Sequence, residues 1–194
     1  MDQEIRLSVF EDTMYQCSRD ALLLGAIAGS RAGTWVGQDI GGLIMWLREH
    51  SFDQIRMMGM GEDCLDMLER MRRDSPEHRI LLVNQGSIMY PGGGVLRGAD
   101  DPEAQLCRCS TLYPCLSWEV PNIWYQENRN AFCDRGGFIY TPDIVVIRGG
   151  RQEIWLPERD RYLVDVITAG EQTLGNLAEQ FPKPGYQYGD TDKM

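Results

Sequence analysis

Long apolar runs are missing from this sequence. The longest, residues 21–28, falls far short of the ~18 residues that a membrane span needs, and no basic segment precedes an apolar one at Met1-Asp2-Gln3-Glu4. The chain reads as soluble, unsecreted and cytoplasmic. Positive charge is short as well: 19 Lys and Arg face 29 Asp and Glu, a formal net charge of −10. Such a field repels phosphate backbones, which argues against bulk nucleic-acid binding. Only His50 and His78 exist as nitrogen ligands for a metal. A zinc site from Cys107, Cys109, Cys115 and Cys133 is conceivable, but C-x-C followed by a five-residue gap is not a usual zinc-knuckle spacing. Reduced and mostly buried thiols are expected instead, with no metal and no cofactor. Neither G-x-G-x-x-G nor a P-loop occurs, since no Lys-Ser or Lys-Thr follows the glycines.

What is present is the composition of a globular protein, 43% hydrophobic and 25% charged over 194 residues. That suits a single domain over residues 1–181, with a loose tail of Pro, Gly and polar residues at 182–194. Residues 5–10 alternate as a short strand and 11–18 suit a brief helix. Residues 20–27 read as a buried strand running into a glycine loop at 28–33. After it Ile40, Leu43, Ile44 and Leu47 share one helix face. Residues 54–58 suit a strand and Gly59 and Gly61 a turn, before a helix starts near Asp63 with Leu65, Leu68 and Met71 inward. Residues 79–84 form the clearest buried strand. A helix follows from Pro102, with Leu106, Cys109 and Tyr113 on one face. Extended segments at 137–140 and 144–148, a strand at 162–168 and a helix at 171–179 complete the pattern. The alternation predicts a three-layer α/β/α fold with a mixed sheet.

The 21 glycines are unevenly spread. Gly92, Gly93 and Gly94 follow one expected strand, and Gly29 to Gly33 follow another. In open α/β sheets ligands bind beyond the carboxyl ends of strands, and glycine lets backbone N–H groups approach an anion. Two such cradles suit a diphosphate. Just past the triple glycine stand Asp100, Asp101 and Glu103, at the mouth of the expected helix. Acids there cap a helix. Equally, a carboxyl beside a sugar diphosphate can protonate a leaving oxygen or activate water at an anomeric carbon.

Residues 83–116, VNQGSIMYPGGGVLRGADDPEAQLCRCSTLYPCL, resemble the signature of the microbial-type poly(ADP-ribose) glycohydrolases, a branch of the macro-domain superfamily. The resemblance rests on Pro91 to Gly94, Leu96, Gly98-Ala99, Glu103, Leu106 and Ser110-Thr111-Leu112-Tyr113. Downstream, Ile139 to Pro142, Val145 to Arg148 and Val164 to Ala169 are also similar, so the likeness covers residues 55–169. It implies a macro-domain-like fold and recognition of ADP-ribose, with hydrolysis of ADP-ribosyl linkages or binding alone as the two outcomes. The implied partner is ADP-ribose or an ADP-ribosylated macromolecule. The implied ligand contacts are Asn84, Tyr90, Gly92, Gly93, Gly94, Val95 and Leu96, and the implied catalytic group is Glu103, helped by Asp101 or Asp100.

The family's second phosphate loop normally lies near the C-terminus, and nothing after Ala169 is similar to it. The segment DALLLGAIAGSRAG at residues 20–33, with the helix up to residue 49, is similar instead. A circular permutation is the implied order, with Gly29, Ser30, Arg31, Ala32 and Gly33 as the second cradle. Glu62 or Asp63 stands where the family places an acid near adenine, and both also suit helix capping. Trp35 suits either adenine stacking or the core. Three departures stand out: Ala104 replaces the second, usually essential, glutamate of the motif, Tyr90 replaces an asparagine before PGGG, and Ala28-Gly29-Ser30 replaces GCG.

Overall fold

The computed structural model describes residues 1–49, 63–131, 133, 136–171 and 173. The expected strand at 54–58, the turn at Gly59 and Gly61, Glu62, most of the helix at 171–179 and the tail at 182–194 lie outside these residues.

The chain opens with two helices where a strand, a brief helix at 11–18 and a second strand were expected, so only the helix at 11–18 keeps its expected form. Helix α1 spans Gln3–Cys17 and α2 spans Ala21–Gly33. Asp2 caps the first by accepting from the Ile5 N–H, and Asp20 caps the second by accepting from Leu22 and Leu23. Buried positions decide the matter: Phe10, Thr13 and Cys17 in α1, and Leu23, Ile27 and Ser30 in α2, recur at helical spacing. The alternation at 5–10 and the apolar run at 20–27 are each too short to separate strand from helix by pattern alone.

Strand β1 (Trp35–Gly37) leads into α3 (Ile40–Glu49), and Asp63 caps α4 (Cys64–Asp74). Strand β2 is Leu81–Gln85. A 3-10 turn at Val95–Arg97 precedes α5 (Pro102–Cys109), whose Asp101 cap accepts from the Ala104 N–H. Contrary to expectation, α5 does not run on to Tyr113. Ser110 turns extended and bridges to Val146, and α6 (Leu112–Leu116) restarts the helix before α7 (Glu119–Ala131). Strands β3 (Phe138–Val146), β4 (Arg148–Gly149), β5 (Ile154–Trp155) and β6 (Tyr162–Ala169) follow. The two extended segments around Pro142 are thus one strand, broken by a bulge between Thr141 and Ile144.

Among the described residues four strands form a mixed sheet in the order β1-β3-β6-β2, antiparallel except for the parallel pair β6 and β2. Its residues alternate between two apolar layers. Ile139, Val164 and Val166 enter the larger core with α1, α2, α4, α5, α6 and α7. Phe138, Tyr140 and Ile167 face Leu43 and Trp46 of α3. Helices therefore cover both faces, the α/β/α arrangement. Trp35 packs at 5.0 Å from Phe138 and 6.0 Å from Tyr140, so it belongs to that second layer and not to a base-binding surface. Strand β2 is not the buried strand expected, because Val83 is exposed and Leu81 and Leu82 are half-buried. Among the described residues β2 ends the sheet, with one neighbour instead of two. No helix of the described residues is long and apolar enough to cross a membrane.

Candidate active site

The parallel pair sets the position of the site. Gly86 continues β2 by donating to the Ala169 carbonyl, and the chain then turns through Ser87 and Tyr90 into the triple glycine. Gly92 and Gly93 hold φ of 66° and 54°, a left-handed backbone that side chains disfavour. The N–H groups of Gly93, Val95, Arg97 and Gly98 donate to the carbonyls of Tyr90, Gly92, Gly94 and Val95. Those of Gly94 and Leu96 take no part in this ladder. The Val95 side chain is buried in the core, whereas Leu96 is 61% exposed, so only the latter presents its side chain to the surface.

Glu103 lies in the first turn of α5 and is only 4% exposed. Its Oε2 accepts from the Ser87 N–H at 2.8 Å, and its Oε1 has no hydrogen-bond partner. The carboxyl is wedged between two glycines. A Cβ at Gly86 would stand 2.7 Å from Oε1, and a Cβ at Gly93 would stand 2.7 Å from Oε2. Burial pushes this carboxyl up to about 7, and the Asp101 charge acts in the same direction. The Ser87 N–H and the Asn84 amide pull against them by favouring the charged form. Asn84 is itself buried at the end of β2, with its Nδ2 3.2 Å from the Thr168 hydroxyl. Burial thus brings the Glu103 carboxyl close to neutrality, the range in which a carboxyl can act as either acid or base.

The other expected acids stand elsewhere. Asp101 spends one oxygen on the Ala104 N–H at 2.8 Å, the capping geometry. Asp100 has a side chain 72% exposed, with its carboxylate 3.1 Å from Arg6 on α1. Asp63 caps α4 through the Leu65 N–H and accepts from the Gln105 amide on its other oxygen at 2.8 Å, so it ties α4 to α5.

The second cradle is not formed. Gly29, Ser30, Arg31, Ala32 and Gly33 lie on α2, where N–H groups serve the helix ladder. Ser30 donates to the Asp143 carbonyl, Arg31 to the Pro114 carbonyl, and a Cβ at Gly33 would meet Pro142 at 2.7 Å. The contacts to Pro142 and Asp143 fall at the β3 bulge, opposite Val164 and Val166, and Pro114 lies on α6, while the Glu103 site lies beyond Ala169. The circular permutation loses its basis with the strand and loop it required.

A residue that the motif reading passed over supports the site from behind. Arg108, 1% exposed at the far end of α5, donates through Nε and Nη2 to Glu153, which is 2% exposed, and through Nη1 to the Ala99 carbonyl at 2.7 Å. Ala99 in turn fills the space beside Gly94, where a Cβ would approach its methyl to 2.6 Å. The signal in the sequence was an arginine between two cysteines in the apolar second half of the helix, Leu106 to Cys109. Its partner, 45 residues away, carries no local mark. A cavity of about 280 Å³ lined by Arg72, His78, Arg79 and Tyr162 sits at the starts of β2 and β6, the opposite end of the sheet.

Residues 44–149 match the family model described as the catalytic domain of microbial-type poly(ADP-ribose) glycohydrolase, PARG. No curated protein sequence matches the chain significantly. Among solved structures, it is similar to poly(ADP-ribose) glycohydrolase from Thermomonospora curvata at 20% identity and a TM-score of 0.68, over 90% of this chain and 68% of that one. The T. curvata protein bound to the inhibitor ADP-HPD gives 22% identity and a TM-score of 0.68, over 90% and 66% of the two chains. The Deinococcus radiodurans enzyme in complex with ADP-ribose gives 28% identity and a TM-score of 0.62, over 80% and 62%. The chain thus spans about two thirds of the length of these relatives. A family model that covers more than half of the chain, around a buried glutamate held against a glycine turn, leads to one conclusion: the chain belongs to the microbial-type PARG catalytic-domain family.

Proposed function

We propose that the chain recognises ADP-ribose and hydrolyses ADP-ribosyl linkages, in poly(ADP-ribose) or on modified macromolecules, with Glu103 as the acid/base group. One observation carries the reading: a buried carboxyl beside the Gly92–Gly94 turn, fixed through one oxygen by the Ser87 N–H and unpartnered at the other, with its proton affinity raised to near neutrality. In the protonated state Glu103 gives its proton to the leaving oxygen as the anomeric C–O bond breaks through an oxocarbenium-like state. The resulting carboxylate then takes the proton of the water that adds to the anomeric carbon. Ligand contacts fall to Asn84, Gly92, Gly93, Gly94 and Leu96, with the free N–H groups of the turn directed to phosphate. Relatives solved with ADP-ribose and with ADP-HPD support this ligand class. Asp101 acts as the cap that holds Glu103 in the first turn of α5. A cytosolic setting belongs to the same reading, supported by five buried free cysteines, of which Cys17 and Cys64 are pushed up to about 11 by burial.

A second reading, an ADP-ribose binding module without turnover, is favoured by a specific feature: Ala104, fully buried, where the family has its second glutamate. Incubation with mono- and poly-ADP-ribosylated protein, beside calorimetry with free ADP-ribose, separates the two. Release of ADP-ribose that falls about 10²- to 10⁴-fold in Glu103→Gln supports the hydrolase. Binding without release supports the module, and the absence of both removes the two readings together.

A further inference from the structure

Beside the glycine turn one aromatic ring is left bare. Tyr90 is 58% exposed, although its backbone is fixed on both sides. Its N–H donates to the Ser87 hydroxyl at 3.1 Å and its carbonyl accepts from the Gly93 N–H at 3.0 Å. Arg129 of α7 backs the ring, with its guanidinium carbon 5.6 Å from the centroid, and is itself anchored on the Met89 carbonyl at 2.6 Å. The ring is therefore a shelf set between a cation and solvent. In a chain of net charge −10, Arg129 also places a positive charge where an anionic ligand would otherwise meet repulsion. Ser87 connects this shelf to the chemistry, because its N–H holds Glu103 and its hydroxyl holds Tyr90. Two hydrogen bonds of about 3 Å joined through one residue put the Tyr90 backbone within about 10 Å of the carboxyl.

We propose that Tyr90, backed by Arg129, is a stacking platform for the nucleobase of the ADP-ribose unit adjoining the one whose ribose lies at Glu103, so that the polymer is preferred over the monomer. The proposal rests on the ADP-ribose reading above and deepens it. Every unit of the polymer carries a planar purine. An exposed aromatic ring with a guanidinium behind it offers a base both a π-face and a cation. A small polar side chain at position 90 would offer neither.

The test compares ADP-ribose with a dimer carrying the polymer linkage, by calorimetry on the full chain in a Glu103→Gln background that suppresses turnover. The dimer is expected to bind about tenfold more tightly than the monomer, on the scale of one stacked base. In Tyr90→Ala the dimer-to-monomer ratio should fall to about one, in Arg129→Ala it should shrink, and in Tyr90→Phe it should persist. Circular dichroism verifies that each variant folds. A ratio of one in the parent, or a ratio that survives Tyr90→Ala, overturns the platform while ADP-ribose recognition stands. A gain seen only with ADP-ribosylated peptide, and lost in Tyr90→Ala, moves the contact to the acceptor protein and also overturns it. Failure to bind either nucleotide removes the ADP-ribose reading and the platform with it.

Discussion

Two glutamates lie buried around helix α5, and they are in opposite circumstances. Glu153 meets Arg108 through both carboxylate oxygens, with the closest contact at 2.7 Å. Glu103 has one backbone N–H on one oxygen, while the other makes no hydrogen bond and feels only the nearby Asn84 amide. A buried charge persists when it is paired and hydrogen-bonded, and otherwise shifts toward its neutral form. Glu153 accordingly ties the turn before β5 to α5, while Glu103 is left near its titration point. Glu153 also holds a left-handed backbone, φ 50°, a conformation that persists only where its surroundings over-determine it. Arg148 supplies part of that constraint by donating to the Glu153 carbonyl, to Thr13 and to Asp12 while lying over Trp155. The lesson is one of division: the same side chain type, equally buried, serves cohesion where a guanidinium reaches it and is left close to titration where none does.

Breaking the paired glutamate should have the largest effect. Arg108→Met leaves Glu153 buried without a counter-charge and is expected to cost about 3–5 kcal/mol in urea unfolding. Arg108→Met combined with Glu153→Met should recover most of that loss, since two apolar side chains replace the ion pair. It should not recover ligand affinity, because the tether to the Ala99 carbonyl stays cut.

The unpaired glutamate predicts a pH dependence of stability. Its carboxyl is raised from 4.5 to about 7, so the folded chain holds this proton more tightly than the unfolded chain does. The associated stability is complete below 4.5, declines as pH rises and is gone above about 7, a change on the order of 3 kcal/mol. Unfolding measured at pH 5 and pH 8 should show that fall, and Glu103→Gln should flatten it. A slope that persists in the variant would place the titration on another group.

Two smaller effects separate the acids around Glu103. Asp101→Ala should lose about 1 kcal/mol by removing the cap on the Ala104 N–H, with a matching loss in thermal denaturation. Asp100→Ala should change stability by at most about 0.5 kcal/mol, because its own carboxylate is mostly in solvent where it meets Arg6. A larger effect on turnover than on stability in either variant would restore that aspartate to the catalytic chemistry.

Much of the central region was legible in the chain. Helix α3 was read from Ile40, Leu43, Ile44 and Leu47, the start of α4 from Asp63 and the start of α5 from Pro102, because apolar spacing and capping chemistry are local. Strands β2, β3 and β6 showed through their apolar character for the same reason. The first turns of α1 and the whole of α2 did not, although the later part of α1 was expected as a helix at 11–18. In the segment ALLLGAIA every residue suits either a strand or a buried helix, and only the pairing of its neighbours with β3 excludes a place in the sheet. The glycines of that segment carried the permuted second cradle with them. Gly25 and Gly29 have open space around them, so no packing contact requires glycine at either position.

The sequence by itself determined the family, the glycine turn and the position of Glu103, since each follows from residues a few places apart in one stretch of chain. Tertiary structure decided which acid is buried, which caps a helix and which faces water, because desolvation depends on what packs around a carboxyl and not on its neighbours in sequence. It also decided that Arg108 meets Glu153 across 45 residues, a contact made only when α5 and the turn before β5 close on the same core.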